Sequence, residues 1–154
     1  MTRELIEQYE RGGQKLGQAI LGMTHAELLA VPIPGKWSTQ QVVIHLADAE
    51  AAFADRIRRI IASDNPPLLA WDENQFAARL FYSEQSAEDA VTMIDITRRQ
   101  LTRVLLKLPN AAFSRTGEHS ESGKLTLEDV VGKAVWHMDH HLKFIAEKRA
   151  KLGK

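Results

Sequence analysis

The chain has 154 residues, of which 44% are hydrophobic and 26% are charged, as in an ordinary globular protein, so disordered and collagen-like classes are excluded. Its 20 basic and 20 acidic residues cancel, which argues against a general nucleic-acid binder because that class needs a basic excess. The sequence has no cysteine, so disulfides, thiolate metal sites and a cysteine nucleophile are excluded.

The length is close to the roughly 150 residues that one domain usually takes, so we expect a single domain over residues 1–154. The opening residues, MTRELIEQYE, carry charges at once and lack the apolar stretch of a secretory signal. No window approaches the roughly 18 apolar residues of a membrane helix. We therefore expect a cytoplasmic protein.

The first predicted helix begins after Thr2 and repeats apolar side chains at steps of three and four. Gly12 and Gly13 weaken it and indicate a kink or a close helix contact. A further short turn of helix is predicted after Thr24, which has Glu27 three residues later.

The second long helix is predicted to begin after Ser38, because Ser38 and Gln41 have the spacing of a capping box. Pro66 and Pro67 must lie beyond its end. In the connection that follows, Asp72 is a candidate cap for a short helix through Leu80. The connection is also rich in aromatic residues, which either close one end of a helix bundle or wall a ligand pocket: Trp71, Phe76, Phe81 and Tyr82.

A third long helix is predicted after Ser86 and must end before Pro109. Residues 114–125 are polar and rich in Ser and Gly, which is typical of an exposed loop or a short hairpin. Thr126 with Asp129 opens the last helix. Four long amphipathic helices predict an all-α fold, a four-helix bundle.

Three of the six histidines lie in the run 136–141, Trp-His-Met-Asp-His-His. At about 100° per residue, His137 and His141 lie together at the edge of the apolar face, and His140 is turned towards solvent. Histidines spaced i and i+4 on a helix can bind one metal ion. Pairing of His137 with His140 at i and i+3 is geometrically possible as well.

A third candidate ligand, His45, lies at the edge of the apolar stripe of the second long helix. Three histidines would leave a position open for water or substrate, as a catalytic site requires. The alternative is a partly buried structural histidine. Asp48, one turn later, is either a solvated acid or a group that orients a ligand imidazole or a bound water.

The sequence also supports predictions for Trp136 and His119. Trp136 lies opposite the buried face of the last helix, and an exposed tryptophan favours a subunit interface. His119 lies in the polar segment 114–125 and is expected to be solvated; the alternative is that this loop lies near the metal and brings His119 to it.

The run Gly35–Ser38, together with residues 42–50, resembles the second helix of the DinB-like superfamily. Residues 136–145 resemble that superfamily's last helix. The resemblance extends over nearly the whole chain in the order and length of the helices. It implies a four-helix bundle of the DinB-like type that holds one divalent metal ion, most commonly nickel or zinc, through His45, His137 and His141.

The resemblance implies more than one activity. Some members are described as metal-dependent hydrolases; others transfer low-molecular-weight thiols such as bacillithiol or mycothiol, or catalyse a thiol-dependent isomerisation. We therefore expect a metal-dependent enzyme for a small molecule, or else a non-catalytic metal-binding or stress-response module. The expected partners are a small-molecule substrate, for which a low-molecular-weight thiol is one candidate, and a second copy of the chain in a homodimer. We also expect a cleft at the metal, lined by the aromatic connection and by residues 114–125.

Overall fold

The long helices form a bundle of four in the computed structural model, which describes residues 2–154. They are α1 (Arg3–Ile20), α3 (Thr39–Ala62), α5 (Ala87–Leu105) and α6 (Leu127–Lys151). Two short helices, α2 (His25–Leu29) and α4 (Glu73–Arg79), lie in the connections. Helices α1 and α3 each pack against both α5 and α6. The predicted all-α four-helix bundle is confirmed, and the two histidine-bearing helices, α3 and α6, are direct neighbours.

The predicted helix starts are confirmed by their caps. Capping boxes join Ser38 to Gln41 before α3 and Thr126 to Asp129 before α6. The Asp72 side chain accepts from two backbone amides at the start of α4. Each such cap contributes typically about 1 kcal/mol, so these local signals fix where the bundle helices begin.

The two adjacent glycines of α1 mark a close helix contact, as the sequence indicated. A Cβ added to Gly13 would lie 2.7 Å from the Asp95 Cα on α5. A Cβ added to Gly12 would overlap the guanidinium of Arg98. Because Gly12 and Gly13 have no side chains, α5 can approach α1 closely, and there is room for the buried side chain of Arg98.

Residues 114–125 belong partly to a small sheet at the side of the bundle. Strand β2 (Thr116–His119) pairs antiparallel with β3 (Gly123–Thr126) and parallel with β1 (Pro67–Leu68). A 3-10 turn, Asn110–Ser114, precedes the sheet. Of the two alternatives for this segment, the structure therefore has the hairpin.

The core consists of two apolar clusters arranged along the helices. The first includes Tyr9 and Ile57, and the second includes Leu16 and Met138. Glu50 lies between the positions that α3 contributes to the two clusters, so polar groups occupy the boundary between them. Across residues 2–154, none of the helices combines the length and the apolar character needed to cross a membrane.

Candidate metal centre

The structure brings three imidazoles together between α3 and α6. One ring nitrogen from each of His45, His137 and His141 lies within 4.8 Å of the others. His137 and His141 are one turn apart on α6, with ring centroids 4.6 Å apart. His45 on α3 is fully buried, and its ring lies 5.0 Å from His137 and 4.7 Å from His141. The helical positions alone had indicated this grouping; that these residues bind a metal ion stays a prediction.

The spacing of the nitrogens fits a divalent ion. His45 Nε2 and His137 Nε2 are 3.1 Å apart. Two nitrogens bound at about 2.0–2.1 Å to a tetrahedral ion would be about 3.3 Å apart. In addition, Nδ1 of His45 and Nδ1 of His141 are buried without a hydrogen-bond partner among the described residues. These two nitrogens leave the rings without a described hydrogen bond, so the fit to a ligand site rests on the spacing of the nitrogens that face one another.

The three imidazoles are held neutral. Burial lowers the pKa of His45 and of His137 to about 4, and that of His141 to about 3. Repulsion from neighbouring rings is the second cause of the lowered pKa in each case and is included in these values. Near pH 7 each ring therefore has a free lone pair, which is the form that coordinates a metal ion.

His140 is not a member of the cluster. Its ring stacks on Trp136 at 4.8 Å with an angle of 15° between the planes. The i and i+4 pairing of His137 with His141 is therefore the one that the structure assembles, and pairing of His137 with His140 is not.

The expectation for His119 is wrong. Its residue is only 9% exposed, and Nδ1 accepts hydrogen bonds from the backbone amides of Glu121 and Ser122. Because β2 pairs on both sides, this side chain is covered, and it stabilises the turn of its own hairpin.

The hydrogen-bond partner of Asp48 is Tyr82 and not a ligand imidazole. Its Oδ2 accepts a hydrogen bond from the Tyr82 hydroxyl at 2.5 Å, whereas His45 Nδ1 has no partner within residues 2–154. Asp48 therefore does not orient the His45 ring. It fixes Tyr82, which is buried and contacts Trp37 edge-on at 6.4 Å.

Two tryptophans enclose His45. The Trp37 ring lies 5.1 Å from the His45 ring, and Trp71 lies 5.6 Å from it. Phe76 packs on Trp71 at 4.7 Å, whereas Phe81 is exposed. Tyr82 therefore closes the core and Trp71 contacts the His45 ring, but none of the four aromatic residues of the connection lines the cleft at His141, so the predicted aromatic lining of that cleft is wrong.

A cleft of about 330 Å³ opens beside His141. Its walls come from the turn before α3 and from the start of α4 and the second half of α6, and its main lining residues are Ile33, Lys36, Trp37, Glu73, Phe144 and Lys148. The expected lining by residues 114–125 is wrong, because that segment is engaged in the sheet. Trp71 and Phe76 line a second cleft of about 360 Å³ instead.

Sequence reasoning missed Glu73. Its Oε2 lies 3.7 Å from His45 Nε2, and its side chain is 54% exposed at the cleft. The signal was present, since an acid directly follows the cap Asp72, but it indicated only the first turn of a helix. Glu73 is the carboxylate that the chain offers closest to the cluster by the described contacts.

A buried ionic network was also missed. Glu50 accepts a hydrogen bond from the Tyr9 hydroxyl at 2.5 Å and from Arg98 Nε at 2.8 Å, with Arg98 Nη2 at 2.7 Å. Arg98 also donates to the carbonyls of Tyr9 and Ala134. Burial, followed by the charge of Glu50, raises the pKa of Tyr9 well above its ordinary value. The network joins α1, α3, α5 and α6 one turn from His137.

Comparison with known proteins gives consistent matches. A family model described as the DinB superfamily matches residues 8–145. "Putative metal-dependent hydrolase YfiT" of Bacillus subtilis (strain 168) is 27% identical over 149 residues, which cover 96% of this chain and 84% of that protein. "Putative metal-dependent hydrolase OB0782" of Oceanobacillus iheyensis is 27% identical over 145 residues, which cover 94% and 84%.

Two solved structures share the fold. The structure of YfiT from Bacillus subtilis, described as having an unusual four-helix bundle topology, superimposes with a TM-score of 0.91 at 26% identity, covering 99% of this chain and 90% of that one. The mycothiol-dependent maleylpyruvate isomerase gives a TM-score of 0.70 at 12% identity, covering 90% and 58%. At that identity the second likeness shows the fold alone.

Proposed function

The chain belongs to the DinB superfamily, and from this premise we propose that it is a metal-dependent enzyme that activates a nucleophile for attack on a small molecule. The observation that carries the proposal is the cluster of three neutral imidazoles with a cleft at His141. Relatives named as metal-dependent hydrolases support the same class of activity.

His45, His137 and His141 would hold one divalent ion per chain, with nickel and zinc as the leading candidates. When bound, such an ion would act as a Lewis acid and lower the pKa of water or of a thiol. The chain's own contribution is to keep the three rings neutral and fixed. Trp37 and Trp71 cover the His45 ring on two sides and exclude water from it.

Glu73 is proposed to move the proton. It lies at the cleft with Oε2 close to His45 Nε2, so its carboxylate can accept the proton of a nucleophile bound beside the cluster. The same oxygen can then return that proton to the leaving group. This assigns a base that the sequence did not reveal.

The nucleophile that the relatives' names favour is water, which makes the reaction a hydrolysis. The second candidate is a low-molecular-weight thiol, which would make the protein a thiol S-transferase. The two share every residue role proposed above, because each nucleophile must lose a proton before it attacks. The non-catalytic alternative, a metal-binding module, requires the same three histidines but no role for Glu73.

The test uses zinc-loaded and nickel-loaded protein against two probes: p-nitrophenyl acetate for hydrolysis, and 1-chloro-2,4-dinitrobenzene with cysteine for thiol transfer. We expect turnover of at least one probe and its loss in His137→Ala. Glu73→Gln should lower the rate about 100-fold to 10,000-fold while the metal content stays at one ion per chain. His140→Ala is the matched control and should retain both metal and activity.

The outcomes separate the candidates. Turnover that needs no thiol supports a hydrolase, and turnover only with cysteine supports a transferase. Stoichiometric metal without turnover of either probe favours the non-catalytic module. Glu73→Gln with unchanged rates would contradict the proton-transfer role.

The assembly proposal is a homodimer that covers Trp136. This side chain is 62% exposed on α6, and His140 and Phe144 continue an aromatic row along the same helix. Exposed aromatic rows favour contacts with another protein surface.

A further inference from the structure

The cleft beside His141 contains a lysine without a counter-ion. Lys148 lines the cleft, yet its residue is only 4% exposed. Within residues 2–154, no hydrogen bond or ion pair engages its Nζ. The Nζ atom of Lys148 lies over the Phe144 ring, 5.7 Å from the ring centroid. A long cationic side chain thus lies in the wall of the cleft, and the carboxylates of residues 2–154 form no ion pair with it.

The apolar stem of Lys148 is covered while its Nζ reaches solvent in the cleft, so the ammonium is available to an anion that enters. Burial lowers the pKa of Lys148; Glu147 raises it and Lys36 lowers it further. Lys36 lines the same cleft, so this end of the cleft carries two ammonium groups. An anion placed there would gain from both, against the repulsion of Glu147, which lines the cleft as well.

The position of Lys148 relative to the histidines matters as much as its charge. Lys148 lies seven residues after His141 on α6, two turns and roughly 10 Å further along the helix axis. The Phe144 ring lies between them, 5.8 Å from the His141 ring. Ile33, Trp37 and Val42 form the facing wall. The cleft therefore has a histidine end, an apolar middle and a cationic end.

We propose that this cleft binds a small monocarboxylate, with the carboxylate on Lys148 and the apolar part between Trp37 and Phe144. The inference rests on the proposed function, since it names the substrate class of the same site. A monoanion fits better than a dianion because Glu73 and Glu147 line the same cleft and repel additional negative charge. The reacting bond of the substrate then lies at the histidine end.

Benzoate is the probe, and benzamide is its neutral counterpart of nearly the same shape. Binding of each to metal-free and to zinc-loaded protein is followed by ligand-observed and protein-observed NMR titration. We expect benzoate to bind both forms with millimolar or tighter affinity, at least 10-fold tighter than benzamide. Lys148→Met should weaken benzoate at least 10-fold, because a hydrogen bond to a charged group is lost, and should leave benzamide unchanged.

Lys151→Met, an exposed lysine on the same helix, is the matched control and should bind benzoate like the parent protein. Equal binding of benzamide, or no saturation by tens of millimolar benzoate, would overturn the proposal. So would benzoate binding that survives Lys148→Met but disappears without zinc, since the carboxylate would then bind the metal. Tighter binding of phenyl phosphate than of benzoate would overturn the monoanion assignment.

The result is separable from the proposed function. Benzoate binding to the metal-free protein through Lys148 does not depend on catalysis. Conversely, Glu73-dependent turnover can persist when Lys148→Met has no effect on benzoate, and only the substrate class would then be wrong.

Discussion

Two polar clusters lie in the interior of this bundle, and they differ in how completely they are satisfied. In the Tyr9–Glu50–Arg98 network, the Glu50 carboxylate receives a hydroxyl and two guanidinium nitrogens, and Arg98 also binds two carbonyls. In the histidine cluster, the Nδ1 atoms of His45 and His141 have no described partner. The chain completes the hydrogen bonding of the first cluster by itself, whereas the described residues leave the hydrogen bonding of the second incomplete.

The two clusters differ in their hydrogen bonding and not in their burial. Both clusters are largely buried, and both join helices that are distant in sequence. A fully satisfied network rigidifies the core and fixes the helix arrangement. A cluster with unpaired ring nitrogens stabilises a fold less well than a satisfied network, which is consistent with the metal site proposed above.

The largest effect is expected from breaking the satisfied network. Arg98→Met removes the partner of Glu50 and leaves a buried carboxylate, so the free energy of unfolding should fall by about 3–5 kcal/mol. Urea denaturation of the metal-free protein measures this. The control is Arg99→Met, which removes an exposed ion pair with Asp95 and should cost no more than about 1 kcal/mol. A loss below 1 kcal/mol for Arg98→Met would contradict a structural role for the network.

The second prediction concerns the binding of zinc to the histidine cluster. Zinc at 100 times its dissociation constant should stabilise the fold by about 2.7 kcal/mol, because it binds the folded state. His45→Ala, His137→Ala and His141→Ala should each abolish this gain and lower the metal content, measured on protein purified without an affinity tag. His140→Ala should preserve both. Loss of binding in His140→Ala but not in His141→Ala would show that the ligand assignment is wrong.

The third prediction concerns pH in the absence of metal. In the folded state the pKa is about 4 for His45 and His137 and about 3 for His141, whereas the ordinary value is 6.5. At a pH between the folded-state values and 6.5, the unfolded chain therefore binds more protons than the folded chain. Stability should therefore fall as pH drops through 6.5 towards 4. Between pH 6.5 and 5.5 we expect a loss of roughly 2 kcal/mol in total, allowing for solvent at His137 and His141.

The control for this pH dependence is the triple variant His45→Gln, His137→Gln, His141→Gln. It keeps His119, whose pKa is lowered by burial and by Arg56, and removes the cluster. Urea midpoints of the triple variant should vary less with pH over the same range. An equally steep dependence would assign the effect to other groups.

The smallest effect on stability is expected at the surface. Trp136→Glu should change the free energy of unfolding of one chain by no more than about 0.5 kcal/mol, because the side chain is exposed. It should nevertheless convert the proposed homodimer to a monomer, as measured by light scattering at tens of micromolar. A monomeric parent protein under those conditions would contradict the assembly proposal.

The features that sequence could predict are those that depend on neighbours along the chain. The caps at Ser38 and Thr126 and the i and i+4 spacing of His137 and His141 are local, and the structure has them as expected. His45 could be predicted as the third candidate ligand because it lies at the edge of the clear apolar face of its helix. Each of these positions is decided by helix geometry, which requires no knowledge of how the helices pack.

The missed features all depend on packing between distant segments. Glu73 reaches His45 only because α4 folds back onto α3. Arg98 and Glu50 interrupt two apolar faces on different helices, and neither position alone reveals its partner. His119 is buried because β2 pairs with β1, and these strands are about 50 residues apart, as the bond from Ala70 to Ser120 shows. No local pattern encodes such pairings.

The sequence distance between the clustered histidines has a consequence for folding kinetics. His45 and His137 are 92 residues apart, so joining them in an unfolded chain would close a long loop at a high entropic cost. The histidine pair on α6 can form as soon as that helix does, but the third nitrogen arrives only when α3 has docked. A bound ion would therefore act late, as a cross-link that slows unfolding and leaves the folding rate nearly unchanged.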